Sequence, residues 1–307
     1  PYVVGIDVSK AHIDVAVFPH KETTQYANTL DGWESLSQTF ESFETKPLVI
    51  VEPTGGYEKK LIIFLLQKDI PVHRVETRRV KSFIRSYSVL GKTDALDARN
   101  LAKYGYDRQA DLVLFAPFSD NLETLKCLVS RYHDLSKFHV QEKNRSQNPA
   151  ICPRIQKSVQ KTLKWIQKEL AELQTEIDRE IQQSESLLAK QKVLQSIPGI
   201  GPKVSQNLLC SVPELGLLNR KQIASLCGLA PHPRDSGQSS GYRRTGVGGR
   251  QDIKVILHMA AISASNSHSP LSQFYETLIS NGKKPMVALT AIKRKLIVIA
   301  NARIRDA

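Results

Sequence analysis

Long hydrophobic runs are missing from this 307-residue sequence. No stretch approaches the ~20 apolar residues that a membrane-spanning helix needs. Leu61–Leu66 is the longest dense run, and charged residues interrupt the last one, Leu289–Ala300. The sequence therefore predicts no membrane partner.

Cysteine is scarce, and histidine is not clustered. The four cysteines, Cys127, Cys152, Cys210 and Cys227, lie far apart without a CxxC pair, and the eight histidines are scattered. This pattern argues against a disulfide scaffold, a zinc finger and a histidine-based zinc site. We expect four reduced, buried thiols, as in a cytoplasmic protein.

Acidic residues are scarce in one part of the chain. From Lys190 to Ala307 there are 17 Lys and Arg against 5 Asp and Glu, whereas the rest of the chain is almost balanced. Positive charge concentrated in one region is typical of proteins that contact phosphates, either of nucleic acid or of an anionic membrane. Because no spanning run is present, we expect a nucleic-acid partner.

The N-terminal region alternates between strand-like and helix-like segments. Short apolar runs predict strands at Tyr2–Asp7, His12–Phe18, Thr23–Thr29, Pro47–Glu52 and Ile70–Glu76. Helical spacing begins at Asp31 and again at Glu58. Three meandering strands followed by alternating helices and strands indicate an RNase H-like α/β fold.

Two apolar seams with helical spacing follow. The first contains Leu122, Leu125, Val129, Tyr132 and Leu135, and the second contains Val159, Leu163, Ile166, Leu170, Leu173 and Ile177. Such seams predict either an antiparallel hairpin within one chain or a coiled coil between protomers. The pattern does not identify the partner, so both alternatives stay open.

A glycine-rich turn opens the basic region. Residues Ile197–Val204 have the sequence Ile-Pro-Gly-Ile-Gly-Pro-Lys-Val, which resembles a helix-hairpin-helix DNA-binding element. Backbone N–H groups of such a turn can face a phosphate at the start of the second helix. We predict nucleic-acid contacts from Gly199, Gly201 and Lys203, although a Gly-Pro turn between packed helices has the same pattern.

Four carboxylates occupy positions where an RNase H-like sheet gathers metal ligands. Asp7 ends the first predicted strand and Glu52 ends the fourth, which is its neighbour in that fold. Asp94 and Asp97 are three residues apart at a helix start and therefore share one face. Each acid alone could simply end a strand or cap a helix. Asp14, on the second strand, is interpreted as offset in register and outside the group.

Carboxylates held this close repel one another unless a cation is present. Two Mg²⁺ ions would balance their charge and would form the clamp used for in-line phosphoryl transfer. The residues therefore predict a magnesium-dependent centre that acts on phosphate esters.

Several ordered motifs resemble those of DEDD transposases, the recombinases of the insertion-sequence IS110 family that are related to Piv-type DNA invertases. The three acid-bearing motifs are Gly5-Ile-Asp7-Val-Ser-Lys10, Val51-Glu52-Pro-Thr-Gly-Gly-Tyr57 and Gly91-Lys-Thr-Asp94-Ala-Leu-Asp97-Ala-Arg99. Further matches are Ile197–Lys203, Cys227–Pro231, Arg234–Gly237, Gly248–Arg250 and Ala288–Leu296. The resemblance implies a RuvC-like catalytic domain at 1–115, a helical coiled-coil segment at 116–190, and a mostly α-helical transposase domain at 191–307.

The resemblance also implies a catalytic serine in the C-terminal domain. The matching position is Ser236, five residues after Pro231 in a loop rich in Ser, Gly and Arg. Ser236 would attack a DNA phosphate and form a transient phosphoserine link, activated by the carboxylate–metal centre. Ser239 and Ser240 follow closely and leave the choice of serine open, and an ordinary turn is the structural alternative.

Phosphate contacts are predicted for four basic residues near these motifs: Lys92, Arg243, Arg244 and Arg250. The leading interpretation is a site-specific recombinase that cuts and rejoins DNA. The resemblance further implies guidance by a non-coding bridge RNA, a dimer or a tetramer of paired dimers, and a bacterial cytoplasmic location, at the nucleoid when active.

Two other functions fit the same residues. A RuvC-like endonuclease or Holliday junction resolvase would hydrolyse DNA with water and would need no serine. A non-enzymatic DNA-binding protein could keep an inert RNase H scaffold, although the presence of all four acids argues against it. Rejoined product would distinguish the recombinase from the nuclease.

Overall fold

The computed structural model describes residues 2–20, 22–87, 94–116, 120–232, 235–236, 239–240, 244–245 and 248–307. The chain divides into two compact units, Pro1–Pro117 and Phe118–Ala307. The first is a mixed α/β unit, and the second is mostly helical.

The first unit is built on a five-stranded sheet. Its strands are β1 (Val3–Val8), β2 (His12–Phe18), β3 (Thr23–Ala27), β4 (Leu48–Val51) and β5 (Val72–Arg74). The strand order is β3-β2-β1-β4-β5, with β1 antiparallel to β2 and parallel to β4. All five predicted strands are therefore present, and the first and fourth are neighbours, as predicted.

Helices cover both faces of this sheet. They are α1 (Leu30–Glu41), α2 (Glu58–Gln67), α3 (Thr77–Ser86) and α4 (Asp94–Arg108), followed by a 3-10 turn at Gln109–Asp111. One core joins Ile6 and Val51 of the sheet to α1 and α2 through side chains such as Leu36. The other joins Val3, Ile50, Leu101 and Tyr104, so that α4 covers the opposite face.

The second unit contains eight helices among its described residues. They are α5 (Asp120–Ser146), α6 (Pro153–Gln183), α7 (Glu185–Gln195), α8 (Pro202–Ser211), α9 (Arg220–Leu226), α10 (Gln251–Ser265), α11 (Pro270–Ser280) and α12 (Pro285–Arg305). Four two-residue strands separate α9 from α10: β6 (Pro231–His232), β7 (Asp235–Ser236), β8 (Ser239–Ser240) and β9 (Arg244–Thr245). Helices α7 to α12 share one core, which includes Leu208, Leu257 and Leu296.

Helices α5 and α6 pack against each other as a hairpin within the chain. Leu125 and Val129 of the first predicted seam contact Ile177 and Ile181 of the second helix, and Leu187 and Cys210 complete this cluster. The intramolecular alternative therefore accounts for the buried side chains of both seams. A coiled coil between protomers is not needed to cover them.

Two of the four cysteines are exposed, so the prediction of four buried thiols is wrong for Cys127 and Cys152. Cys127 lies on α5 outside the buried seam, and Cys152 precedes α6. Cys210 and Cys227 are buried, and burial raises the pKa of both thiols to about 12. None of the helices described is long and apolar enough to cross a membrane.

Candidate active site

Asp7 in β1 and Glu52, which directly follows β4, are neighbours across the sheet. The parallel register pairs Ile6 with Val51, so the next residues on the two strands are Asp7 and Glu52. Both are half-buried. Since neighbouring parallel strands end at the same edge of a sheet, the two carboxylates lie at one edge, as the sequence predicted.

Helix α4 crosses the same face of the sheet at close range. A Cβ on Gly5 would overlap the Ala98 carbonyl oxygen and the Ala102 backbone nitrogen, so only glycine allows this approach. Because side chains alternate along a strand, Asp7 faces the α4 side, as Gly5 does. Asp97 immediately precedes Ala98 and is half-buried. The first turn of α4 therefore carries Asp97 to the side of the sheet that Asp7 faces.

The fourth predicted acid, Asp94, begins α4, but its side chain lies outside the described residues. Among the side chains that are described, no three from His, Cys, Asp and Glu are gathered closely enough to bind one metal ion. The oxygen donors at this edge are carboxylates, which are the hard ligands that Mg²⁺ prefers. The donor chemistry fits magnesium, and the set of four ligands stays a prediction.

Asp14 lies directly opposite Asp7, so its predicted offset in register is wrong. The short connection between Val8 and His12 sets the register of this hairpin, and Val8 pairs with Ile13. Asp14 is buried and accepts a hydrogen bond from Gln25 Nε2 at 3.2 Å. Opposed carboxylates on one face of a sheet repel each other. This part of the sheet therefore carries more negative charge than the sequence pattern indicated.

Glu58 is a further residue near the site, and its contacts were not predicted. Its side chain is fully buried, and its Oε1 accepts hydrogen bonds from Arg74 Nε at 3.1 Å and Nη2 at 2.7 Å. Its Oε2 accepts from the backbone N–H groups of Thr54 at 3.0 Å and Gly56 at 2.9 Å. Glu58 thus fixes the loop that follows Glu52.

The electrostatics of Glu58 fit that role. Burial alone would raise the pKa of Glu58, but hydrogen bonds from the backbone and from Arg74 outweigh it and hold the pKa below its ordinary value. Glu58 therefore stays ionised at neutral pH. Its sequence signal is weak, because an acidic residue in the first turn of a helix is ordinarily explained by the helix dipole.

Ser236 lies on a narrow hairpin. Strand β7 pairs with β8, so that Ser236 is opposite Ser239, and β6 pairs with β9 closer to the base. The side chains of Ser236 and Arg244 lie outside the described residues, as do Lys92 and Arg243 entirely. Their predicted roles stay predictions.

Backbone contacts close the base of this hairpin. Gly228, where the chain enters, adopts a positive φ of 61°, and Gly249, where it leaves, adopts 74°. A Cβ on Gly249 would overlap the Gly228 backbone, and one on Gly228 would lie 2.6 Å from the Gly248 carbonyl oxygen. The two ends of the hairpin are therefore in direct contact, which larger residues would prevent.

Arg250 forms an ion pair that secures the end of the hairpin segment. Its Nη1 donates to Glu214 Oε2 at 2.8 Å and its Nη2 to Glu214 Oε1 at 2.5 Å. Nη1 also donates to the Ser211 carbonyl oxygen at 2.6 Å. Burial would raise the pKa of Glu214, but the hydrogen bond from Arg250 holds it below the ordinary value. This bidentate partner lies within the unit, and the phosphate contact of Arg250 stays a prediction.

The predicted nucleic-acid contacts of the glycine-rich turn divide into two kinds. Gly199 is half-buried, and a Cβ there would overlap the Ala260 carbonyl oxygen of α10, so this glycine permits packing between helices. Gly201 is exposed and caps the start of α8, with no described atom within 4 Å of a Cβ placed on it. Lys203 is exposed and donates to Tyr132 Oη at 2.7 Å. The nucleic-acid contacts of all three residues stay predictions.

Comparison with known proteins agrees with this arrangement. A family model for DEDD transposases of the IS110 type, described as "Transposase", matches residues 4–149. A second model, described as "Transposase IS116/IS110/IS902 family", matches residues 191–276.

Curated relatives extend over nearly the whole chain. The pilin gene-inverting protein of Moraxella bovis is 27% identical over 312 residues, covering 99% of this chain and 95% of that protein. The 44.8 kDa protein of insertion element IS116 from Streptomyces clavuligerus is 23% identical over 381 residues, covering 99% and 94% respectively. The chain belongs to the IS110 family of DEDD transposases and is a DNA transposase or recombinase.

Proposed function

We propose that this transposase is a site-specific recombinase of an insertion sequence that both cuts and rejoins DNA strands. The observation that carries the proposal is the juxtaposition of Asp7 and Glu52 at neighbouring strand ends, on the face covered by α4. The strand order β3-β2-β1-β4-β5 supports an RNase H-like, RuvC-like domain. The similarity to a pilin gene-inverting protein supports a reaction that leaves DNA rejoined.

Asp7, Glu52, Asp94 and Asp97 would hold divalent metal, which we take to be two Mg²⁺ ions. Bound metal supplies electrostatic stabilisation of the phosphoryl group under attack and lowers the pKa of the attacking hydroxyl. The chain's own contribution is positional. Glu58 and Arg74 fix the loop after Glu52, and the close packing at Gly5 fixes α4 over the sheet.

Ser236 is the proposed nucleophile. Its hydroxyl oxygen forms a bond to the phosphorus of a DNA phosphodiester while one ester P–O bond breaks. The hydroxyl proton passes to a base, and the departing DNA oxygen takes up a proton. A freed DNA hydroxyl then attacks the phosphoserine, which restores Ser236. The serine–DNA phosphodiester replaces the DNA phosphodiester, so the strand can be rejoined without an external energy source. Hydrolysis would instead break the phosphodiester without forming another.

Target choice is proposed to come from a bridge RNA whose loops pair with target and donor DNA. The basic excess of the C-terminal region supports contacts to the backbone of either nucleic acid. An assembly of two or four chains would bring the strands to be exchanged together.

The test is a joining reaction with the purified chain, RNA transcribed from the flanks of its element, element-end DNA and Mg²⁺. We expect joined product, read by sequencing across the new junction, and its loss in Ser236→Ala. Ser239→Ala, on the facing strand, is the matched control and should keep joining. If Ser236→Ala nicked DNA as fast as the unchanged chain and neither joined it, the metal-dependent nuclease would replace our proposal.

A further inference from the structure

Lys254 on α10 lies against the base of the Ser236 hairpin, and Lys293 on the adjacent helix α12 is near enough for the charge of Lys254 to act on it. Lys293 is buried, with 9% of its surface exposed, and its neighbours Ile292 and Leu296 belong to the core of the unit. Lys254 is half-buried. Lysine is almost never buried without a partner, so the position of Lys293 calls for an explanation.

Lys254 contacts the point where the chain enters the hairpin. A Cβ on Gly228 would lie 2.5 Å from Lys254 Cε and 2.7 Å from Nζ, so the lysine side chain runs against the Gly228 backbone. Gly228 in turn contacts Gly248 and Gly249, where the hairpin ends. The Lys254 ammonium group therefore lies where both ends of the hairpin meet.

Neither lysine has a counterion in the described part of the chain, where no hydrogen bond or ion pair engages either ammonium group. Glu214 forms the ion pair of Arg250, and the charge of Asp252 also acts on that arginine. Burial, and then the charge of Lys254, lower the pKa of Lys293. The positive charges of Lys254 and Lys293 therefore lie near each other in a partly buried region. A bound anion would offset their repulsion and stabilise the folded chain.

We propose that Lys254 and Lys293 form an anion site at the base of the hairpin, which takes a phosphate of the nucleic-acid strand that the hairpin engages. An ammonium group is a compact charge with three donors and suits a phosphate oxygen. The inference rests on the proposed function, since it assumes that Ser236 acts on a phosphodiester. DNA and RNA share the chemistry of this ligand, and the experiment separates them.

The first experiment uses inorganic phosphate and needs no DNA reaction. Thermal unfolding of the full chain is followed while phosphate is titrated at constant ionic strength. We expect phosphate to raise the Tm of the unchanged chain and to raise it much less in Lys293→Met. Lys295→Met is the matched control, because it removes the same charge from an exposed position on α12, where Lys295 lies over the Phe274 ring. It should respond to phosphate as the unchanged chain does.

The same titration contains an internal check on folding. Without phosphate, Lys293→Met should unfold at the same temperature as the unchanged chain or a higher one, because methionine keeps the buried apolar contacts and removes a charge at a mostly buried position. If phosphate stabilised Lys293→Met as much as the unchanged chain, the anion site would be refuted. Because this readout is independent of catalysis, it can succeed even where the joining assay fails.

The second experiment measures binding of single-stranded DNA and of RNA of the same sequence as salt is raised. Each lost phosphate contact should reduce the slope of log affinity against log salt by about 0.7 for a single strand. We expect this change in Lys254→Met and Lys293→Met and a smaller one in Lys295→Met. A reduced slope with DNA alone would assign the site to the substrate strand, and a reduced slope with RNA alone would assign it to a guide. An unchanged slope with both would overturn the proposal.

Discussion

The two units hold their predicted catalytic residues by different means. In the first unit, Asp7, Glu52 and Asp97 lie at the ends of regular strands or in the first turn of a helix, and the sheet and α4 position them. In the second unit, Ser236 lies on two-residue strands whose base is closed by glycine contacts and by the Arg250–Glu214 ion pair. Regular structure fixes a site through many weak contacts, whereas a short hairpin depends on a few specific ones. Mutations should therefore separate chemistry from stability in the first unit and couple the two in the second.

The largest effect is expected from Asp7→Asn. The change keeps the size of the side chain but removes a charge that metal binding needs, so joining should fall by about 10³-fold or more. The unfolding temperature should stay the same or rise, because Asp14 directly opposite no longer faces a like charge. Joining rates and thermal unfolding, with exposed Asp31→Asn as the control, test this. A drop in both would mean that Asp7 is structural.

Removing Glu58 should cost the most stability. Glu58→Ala leaves Arg74 without its partner and frees two backbone N–H groups of the loop after Glu52. We expect a loss of about 3–5 kcal/mol in the free energy of unfolding, measured with urea. Glu58→Gln with Arg74→Met should recover part of it, because no unpaired charge then remains. If the double change were no more stable than Glu58→Ala, the ion pair would not be the cause.

In the second unit, Arg250→Ala should reduce stability and joining together. We expect a loss of about 1–3 kcal/mol, since the guanidinium group is about a third exposed and solvent weakens the pair. Arg250→Lys should restore little, because an ammonium group cannot make the bidentate contact. A phosphate-binding Arg250 would behave differently: its loss would reduce the salt dependence of DNA binding and leave stability unchanged.

A smaller effect is expected from acid. The pKa of Glu58 is held below its ordinary value of 4.5, so its ionised form stabilises the fold above that pH, and this contribution is lost as pH falls through the lowered pKa. The pKa of Glu214 is lowered as well, so the second unit should also weaken. Unfolding measured from pH 7 to pH 3 should show Glu58→Gln losing less stability than the unchanged chain. If the stability of Glu58→Gln fell with pH as much as that of the unchanged chain, the loss of stability in acid would not come from Glu58.

The periodic elements could be predicted from the sequence because their signals are local. The start of α2 at Glu58 and the adjacency of β1 and β4 follow from apolar spacing and strand order. The partners of single side chains could not be predicted. The register of Asp14 depends on a short turn, and the contacts of Glu58 and Arg250 depend on residues distant in the chain. Arginine in a glycine-rich loop has the same sequence pattern whether it binds phosphate or pairs with an acid.

The most direct test of the account is to look for a covalent link between the chain and DNA. The protein, its transcribed RNA, element-end DNA and Mg²⁺ would be combined and separated on a denaturing gel, and the linked peptide identified by mass spectrometry. We predict an adduct at Ser236 that is absent in Ser236→Ala and in Asp94→Ala, which would join the chemistry of the two units in one reaction. DNA cleavage without any adduct, unchanged in Ser236→Ala, would contradict it.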